Sequence, residues 1–286
     1  MTRGQRQFAV SLIMLSPATI LMVVFLVLPL IIVVAYSFAG RDSYGGVVPD
    51  FTFANYVELL QPLYVPILWN SLQLAAFNTI LCLLVGYPVA YYIAFRAGRA
   101  APVLLVLMLI PFWINFLIRI SAWVVLLGRN GLLNATLQAF DLTAEPARML
   151  GTYGAVLVGL VYAFLPSAVF PIYAALQPIN RSLLEAARDL GASPLQAFWR
   201  VTFPLSLPGV IAASLFVFVP SMGVFAIPVL LGGGKSIIIG NLIVQLFLEF
   251  RNIPLGAAVS VLMLLFSSVA ILLYMRVMRR AEAVRA

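Results

Sequence analysis

The sequence predicts an all-α membrane protein of six transmembrane helices, and three observations carry that prediction. Of the 286 residues, 64% are hydrophobic and only 9% charged, against about 25% charged in a soluble domain. The apolar residues fall into six stretches, each long enough to match the roughly 20 residues that cross a hydrocarbon core. The charges gather at the ends of those stretches, where the positive-inside rule puts basic residues. The formal charge of +8 therefore reflects membrane topology and is no reason to expect nucleic acid. There is no His and a single Cys, Cys82. That removes His-dependent hydrolysis, His proton relays, Cys-based metal sites and a disulfide framework together. No repeat or linker marks a second domain, so residues 1–286 read as one transmembrane domain.

Val10–Ser37 is the first span. Arg3 and Arg6 precede it as they would a signal peptide, but the run far exceeds the roughly 7–15 residues of a signal core, so it is a retained anchor. Residues 38–66 hold Gly45, Gly46, Pro49, Asp50 and several aromatics, the composition of a small structured cap at the outer surface. Ile67–Phe95 and Pro102–Leu127 are the second and third spans, with Trp69 and Tyr64 suited to an interfacial belt. Arg119 is the only charge within a span, where insertion costs at least ~2.5–3.5 kcal/mol. It either stands by a translocation cavity with a partner or snorkels to the outer interface. Tyr153–Leu176, Leu207–Leu230 and Leu255–Arg276 complete the six. In the fifth, Pro220 through Gly223 break the helix at mid-membrane, which is tolerated only against protein or a cavity. Gly232-Gly233-Gly234-Lys235-Ser236 ends like a phosphate-binding loop, but the first Gly of that motif would fall at Val229, so nucleotide binding is rejected.

Charge sets the direction. With the N-terminus inside, the inner face carries 11 basic residues and the outer face 5, Arg119 being the last of the 17. Both termini are then cytoplasmic, and residues 177–206 form the second cytoplasmic loop. That loop reads Glu185-Ala186-Ala187-Arg188-Asp189-Leu190-Gly191. Ala186, Ala187 and Leu190 give a slim apolar face, and Glu185, Arg188 and Asp189 give charge. Such a segment suits a groove on another protein; the plainer alternative is an amphipathic helix resting on the membrane. Glu185 is expected near a helix N-terminus, where a carboxylate complements the macrodipole. Gly191 permits a sharp turn, Pro194 starts the next helical stretch and Pro204 ends the segment.

The loop resembles that of permease subunits in bacterial ABC importers, which carry Glu-Ala-Ala, three residues, Gly, nine residues and Ile-x-Leu-Pro. Here Glu185-Ala186-Ala187 is followed by Gly191 and then by Val201-Thr202-Phe203-Pro204, with Val and Phe in place of Ile and Leu. A narrower resemblance covers most of the chain. Residues 111–119 (Pro-Phe-Trp-Ile-Asn-Phe-Leu-Ile-Arg), 220–225 (Pro-Ser-Met-Gly-Val-Phe), 230–235 and Ile239-Gly240-Asn241 look like the spermidine/putrescine permease subgroup. Related subgroups import ferric iron, sulfate, thiamine or phosphonates and share the loop, so the loop does not choose the cargo.

The resemblance implies a MetI-like type I importer bundle that makes its pathway with a second permease, most simply a distinct homologue. It also implies two cytoplasmic ATPase subunits and a periplasmic substrate-binding protein in a bacterial inner membrane. Glu185, Ala186, Ala187, Arg188, Asp189, Gly191 and Pro204 would dock on the ATPase. Asn115, Arg119, Ser221, Met222 and Phe225 are candidates for the pathway. ATP and Mg2+ would be used by the partner ATPase and no cofactor by this chain, which is a transport subunit and not an enzyme. Neighbouring subgroups often carry an acidic residue where Val224 and Ala226 stand here, so the acidic contacts to a cation fall to the partner permease, or to Asp141 and Glu249 near the outer rim. From a different class, a secondary transporter would need intramembrane carboxylates or an inverted repeat, and the spans contain no Asp or Glu.

Overall fold

A computed structural model of the protein describes residues 14–42, 46–234 and 237–283, with side chains as far as Arg276. Arg3, Arg6, Gly45, Lys235, Ser236 and Arg285 lie outside the described residues, as do the side chains of Arg279 and Arg280. The expected cap and the Gly232–Ser236 run are thus described only in part. The chain divides into two compact units, Met1–Tyr64 with Ile243–Leu265, and Val65–Leu242 with Phe266–Ala286. Among the described residues, six helical stretches are long and apolar enough to cross a membrane: Met14–Ser37, Val65–Phe95, Phe116–Ala139, Tyr153–Leu176, Pro194–Gly223 and Ile253–Arg276.

The first unit opens with α1, Met14–Ser37, whose apolar side chains are almost all exposed. A two-residue antiparallel pair follows, β1 Gly40–Arg41 with β2 Val47–Val48, then the short α2, Ala54–Glu58. Asn55 holds this segment to the end of α1, its Nδ2 donating to the carbonyls of Ser37 (3.0 Å) and Ala39 (2.9 Å). Phe38 stacks on Phe51 and meets Phe53 and Tyr56. The described part of the loop thus packs on itself through its aromatic residues. Arg41 Nη2 donates to the Phe250 carbonyl at 3.0 Å.

The second unit begins with α3, Val65–Phe95, and then α4, Ala101–Trp113, and α5, Phe116–Leu127. The short α6, Leu132–Ala139, precedes α7, Tyr153–Leu176, and α8, Arg181–Asp189. A long helix, α9, runs over Pro194–Gly223; α10 covers Ala226–Gly232 and α11 Ile239–Leu248. The sixth long helix, α12, covers Ile253–Ala283. Helices α3, α7 and α9 pack on one another. Between them lies a core of Cys82, Ala90, Ala168, Val169, Ile172, Ala213 and Val217. Alanines at 90, 168 and 213 let these helices approach closely, which favours association where helices have no hydrophobic drive. A second cluster, with Leu74, Ile120, Leu160, Ile227 and Leu231, joins α5, α7 and α10.

Two spans differ from the sequence reading. The third is not Pro102–Leu127: α4 and α5 are separated at Ile114–Asn115, α4 is a shorter apolar helix, and the stretch long and apolar enough to cross is Phe116–Ala139. The fifth starts at Pro194, not Leu207, because the loop helix and the span are continuous. Its interruption falls at Val224–Phe225, one turn after Pro220; Pro220 and Gly223 are still helical. The second span begins at Val65, the fourth matches, and the sixth extends past Arg276 to Ala283.

Candidate coupling loop and broken spans

The loop from residue 177 to 206 is built by local rules. Asn180 caps α8, its side chain accepting from Ser182 N at 3.1 Å. The helix ends at Gly191, whose φ of +83° is cheap only for glycine. Gly191 N–H reaches the Arg188 carbonyl at 2.8 Å and Ala192 N–H the Ala187 carbonyl at 3.0 Å. That pair of bonds is a Schellman C-terminus. Ser193 then opens α9 with a capping box: Ser193 N–H donates to Gln196 Oε1 (2.9 Å), and Gln196 N–H to Ser193 Oγ (3.3 Å). Pro194 stands at the first helical position. Hydrogen bonds therefore fix the corner between α8 and α9 on both sides.

Two expectations about this loop need correction. Glu185 is the fifth of nine residues in α8, and the first turn holds no acid, so the helix dipole does not explain it. The last turn holds Arg188, which does complement the dipole. Nor does Pro204 end the segment. The helix widens to a π turn over Phe198–Thr202, which accommodates the missing Pro204 N–H and the ring, and then continues to Gly223.

Glu185, Ala186, Arg188, Asp189 and Gly191 are exposed, and Ala187 is half-buried. Leu190 is 89% exposed, and Leu183, Leu195 and Trp199 are also open. A loop of this kind presents an unpartnered apolar patch flanked by charge, the signature of a protein contact. Its inner side is fixed. Arg181 Nη2 donates to the Phe95 carbonyl at 3.0 Å, and Phe198 packs edge-on against Tyr87 at 5.6 Å and Tyr91 at 6.1 Å. The hydroxyls of Tyr87 and Ser206 lie 2.8 Å apart. The loop is thus continuous with the fifth span and pinned to the second.

At the break in the third span, Ile114 is extended and its N–H returns to the Pro111 carbonyl. Asn115, which is exposed, caps α5 by accepting from Leu117 N at 2.9 Å. Arg119 sits one turn into α5, only 8% exposed. Its Nη1 donates to the Pro111 carbonyl across the break at 3.0 Å. Its guanidinium carbon lies 5.0, 5.6 and 5.9 Å from the ring centres of Phe112, Phe116 and Tyr162, all within cation–π range. Its Nε has no hydrogen-bond partner among the described residues. Arg119 is therefore buried in an aromatic cage.

The fifth-span break is supported from further along the chain. Asn241 Nδ2 donates to the Phe225 carbonyl at 3.4 Å, and Ser71 Oγ accepts from Ile239 N at 2.8 Å. A Cβ on Gly240 would stand 2.5 Å from the Gly223 oxygen, so only glycine lets α11 lie on the break. Of the candidate pathway residues here, Phe225 is exposed. Ser221 and Met222 are buried, and Ser221 Oγ accepts from Asn78 Nδ2 at 2.8 Å and donates to the Val217 carbonyl at 2.6 Å. They face the interior of the unit and not an open path. Asn78, Gly240 and Asn241 complete the polar framework of the break, and no spacing in the sequence assigned them to it. Asp141, at φ +55°, and Glu249 are both exposed.

The family described as "Binding-protein-dependent transport system inner membrane component" matches residues 8–283. The spermidine/putrescine transport system permease protein PotB of Escherichia coli is 42% identical over 258 residues, 90% of this chain and 94% of the relative. The protein of the same name from Haemophilus influenzae is 42% identical over 255 residues, 89% of each chain. Among solved structures, a chain of a bacterial ABC transporter involved in import of the acidic polysaccharide alginate aligns over 96% of both chains, with a TM-score of 0.78 and 20% identity. At that identity the likeness is one of fold.

Proposed function

This chain belongs to the inner membrane components of binding-protein-dependent transport systems, and on that premise we propose that it is the permease through which a bacterial ABC importer passes polyamines. The membrane subunit of such an importer works with a second permease, an ATPase and a substrate-binding protein. The proposal assigns it a distinct homologous permease, two ATPase subunits that use ATP and Mg2+, and a spermidine- or putrescine-binding protein. Both termini lie in the cytoplasm. The cargo rests on the 42% identity to two permeases named for spermidine and putrescine.

The observation that carries the mechanism is the loop pinned at both ends of its inner side. The exposed patch around Leu190 and Leu195, with Glu185 beside it, docks on an ATPase subunit. When ATP draws two such subunits together, the corner moves as one piece, because its Schellman turn and capping box leave it no soft hinge. The displacement passes directly into α9 and, through Phe198, Tyr87 and Arg181, into α3. Both helices meet at the Asn78–Ser221 bond, close to the fifth-span break, where extended backbone can change angle more cheaply than intact helix. This alternation opens the path first to one side and then to the other. Arg119, held by rings and a carbonyl, keeps its positive charge off the route of a cationic cargo.

Labelled spermidine and putrescine uptake tests this in cells carrying the chain with its neighbouring subunits, comparing wild type with Glu185→Arg at matched expression. Uptake lost in the variant is the expected result. No polyamine uptake by an intact assembly would overturn the cargo, and uptake indifferent to Glu185→Arg would overturn the coupling. A ferric, phosphonate or thiamine cargo is the second reading, since related permeases share the loop.

A further inference from the structure

A groove of about 490 Å³ opens along α3 and α4, the two helices joined by the turn at residues 96–100. Val89, Tyr92 and Ile93 wall it on α3, and Leu104, Leu107 and Met108 on α4. Each helix thus contributes one stripe at three- and four-residue spacing. Its size matches the roughly 300–1,000 Å³ of small-ligand clefts. Apart from the Tyr92 hydroxyl and the Met108 sulfur the walls are hydrocarbon, so the occupant is a hydrocarbon chain.

At the closed end the chemistry changes. Arg96 extends the helical turn, its N–H donating to the Tyr92 carbonyl at 2.8 Å, which puts it on the same face as Val89, Tyr92 and Ile93. Arg99 stands in the turn itself, and Arg181 reaches the same corner through the Phe95 carbonyl. All three are exposed. Between Glu58 and Asp141 the sequence has no Asp or Glu, so neither helix nor the turn supplies a counter-charge.

We propose that this groove is a binding site for one anionic phospholipid, with an acyl chain between α3 and α4 and the headgroup phosphate on Arg96 and Arg99. A guanidinium binds phosphate oxygens in bidentate fashion, and basic residues at a membrane boundary attract anionic lipid. One lipid molecule satisfies both halves of the site because its chain and phosphate are joined across the boundary at which the helices end. A protein segment in the groove would give the two exposed guanidiniums an anion only if it carried a carboxylate at that same level. The inference rests on membrane insertion alone, and neither the cargo nor the ATPase contact enters it.

Native mass spectrometry of the assembled transporter, titrated with phosphatidylglycerol or with phosphatidylcholine of the same chains, tests the site. One phosphatidylglycerol is retained in preference to phosphatidylcholine. Arg96→Gln with Arg99→Gln weakens that retention roughly thirtyfold, about fivefold for each guanidinium. Leu107→Trp fills the groove and abolishes it with both arginines intact. An unchanged gel-filtration profile establishes that the variants fold and assemble. Equal retention of the two lipids, retention undiminished in either variant, or a Leu107→Cys variant that cross-links to another subunit in native membranes would each overturn the proposal.

Discussion

Replacing Gly240 by alanine adds one methyl group at the point where α11 meets the break in the fifth span. Its Cβ would lie 2.5 Å from the Gly223 oxygen, 2.9 Å from the Gly223 carbonyl carbon and 3.1 Å from that of Val224. All three are backbone atoms, so no side chain can swing aside. Ordinary contact begins near 3.4 Å, and the start of α11 must therefore withdraw by about 0.9 Å (3.4 less 2.5). The Asn241–Phe225 bond is already 3.4 Å long and would not survive. Overpacking costs roughly 1–3 kcal/mol and the lost bond roughly 0.5–1.5, while alanine recovers about 1 kcal/mol of helix propensity. The net loss is about 0.5–3.5 kcal/mol. At roughly 2–4 °C per kcal/mol, the thermal midpoint in detergent falls by about 1–14 °C, with uptake reduced. Gly154→Ala is the control: it sits in α7, and the nearest atom to its Cβ is Thr152 Oγ1 at 3.9 Å, so its midpoint does not fall. A Gly240→Ala protein that melts with wild type would refute the close approach and, with it, the role given to α11.

Four further outcomes are expected. A double-mutant cycle on Asn78→Ala and Ser221→Ala, read by thermal or denaturant unfolding, gives a coupling of roughly 0.6 kcal/mol and no more than about 1.7; zero coupling would remove the link between the second and fifth spans. Arg119→Met changes stability by less than about 1 kcal/mol, because the insertion cost it relieves, ~2.5–3.5 kcal/mol, balances the lost cage and carbonyl contacts; Arg119→Ala, which leaves a void, costs about 2 kcal/mol more in the same melts. Gly191→Ala forces alanine to φ +83° at about 1–2 kcal/mol, shifting the α8–α9 corner and lowering uptake at unchanged expression. In the purified chain without its ATPase, a maleimide labels Leu190→Cys within minutes and leaves the fully buried Cys82 untouched, and adding the ATPase slows the Leu190→Cys reaction, which mass spectrometry of the intact chain reads directly.

How much was legible in the sequence varies with the range of the interaction. The spans could be read because lipid imposes a length and a composition on every helix, whatever it packs against. The α8–α9 corner could be read because Gly191, Ser193 and Pro194 act on their immediate neighbours. The place of Glu185 within its helix is harder to read, because the start is set by Asn180, a cap five residues upstream of Glu185 with no acid or Pro in the first turn after it to mark it. The orientation of Ser221 and Met222 was hidden for a physical reason: a helix apolar on nearly all sides has no polar face to indicate which side turns inward. Arg119 was equally ambiguous, since its partners are rings and a carbonyl, which carry no charge pattern to find.

The breaks themselves show what decides such cases. Prolines 88, 111, 166, 171, 208 and 220 all lie inside helices, and each removes a backbone donor. Only after Pro111 and Pro220 does the chain leave the helix, in both cases with the C-cap N–H returning to the proline's own carbonyl, from Ile114 and from Val224. Proline is therefore not sufficient. Both breaks also carry polar side chains on the local backbone: Asn115 on Leu117 N and Arg119 on the Pro111 carbonyl at the first, Asn241 on the Phe225 carbonyl at the second. In hydrocarbon an unsatisfied backbone group costs several kcal/mol, so these side chains, added to the Ile114–Pro111 and Val229–Phe225 backbone bonds, lower the cost of each interruption. The first break is supported within eight residues of Pro111 and lies within reach of sequence reasoning. The second depends on Asn241, sixteen residues beyond Phe225, and can be found only once α11 is seen folded back on it.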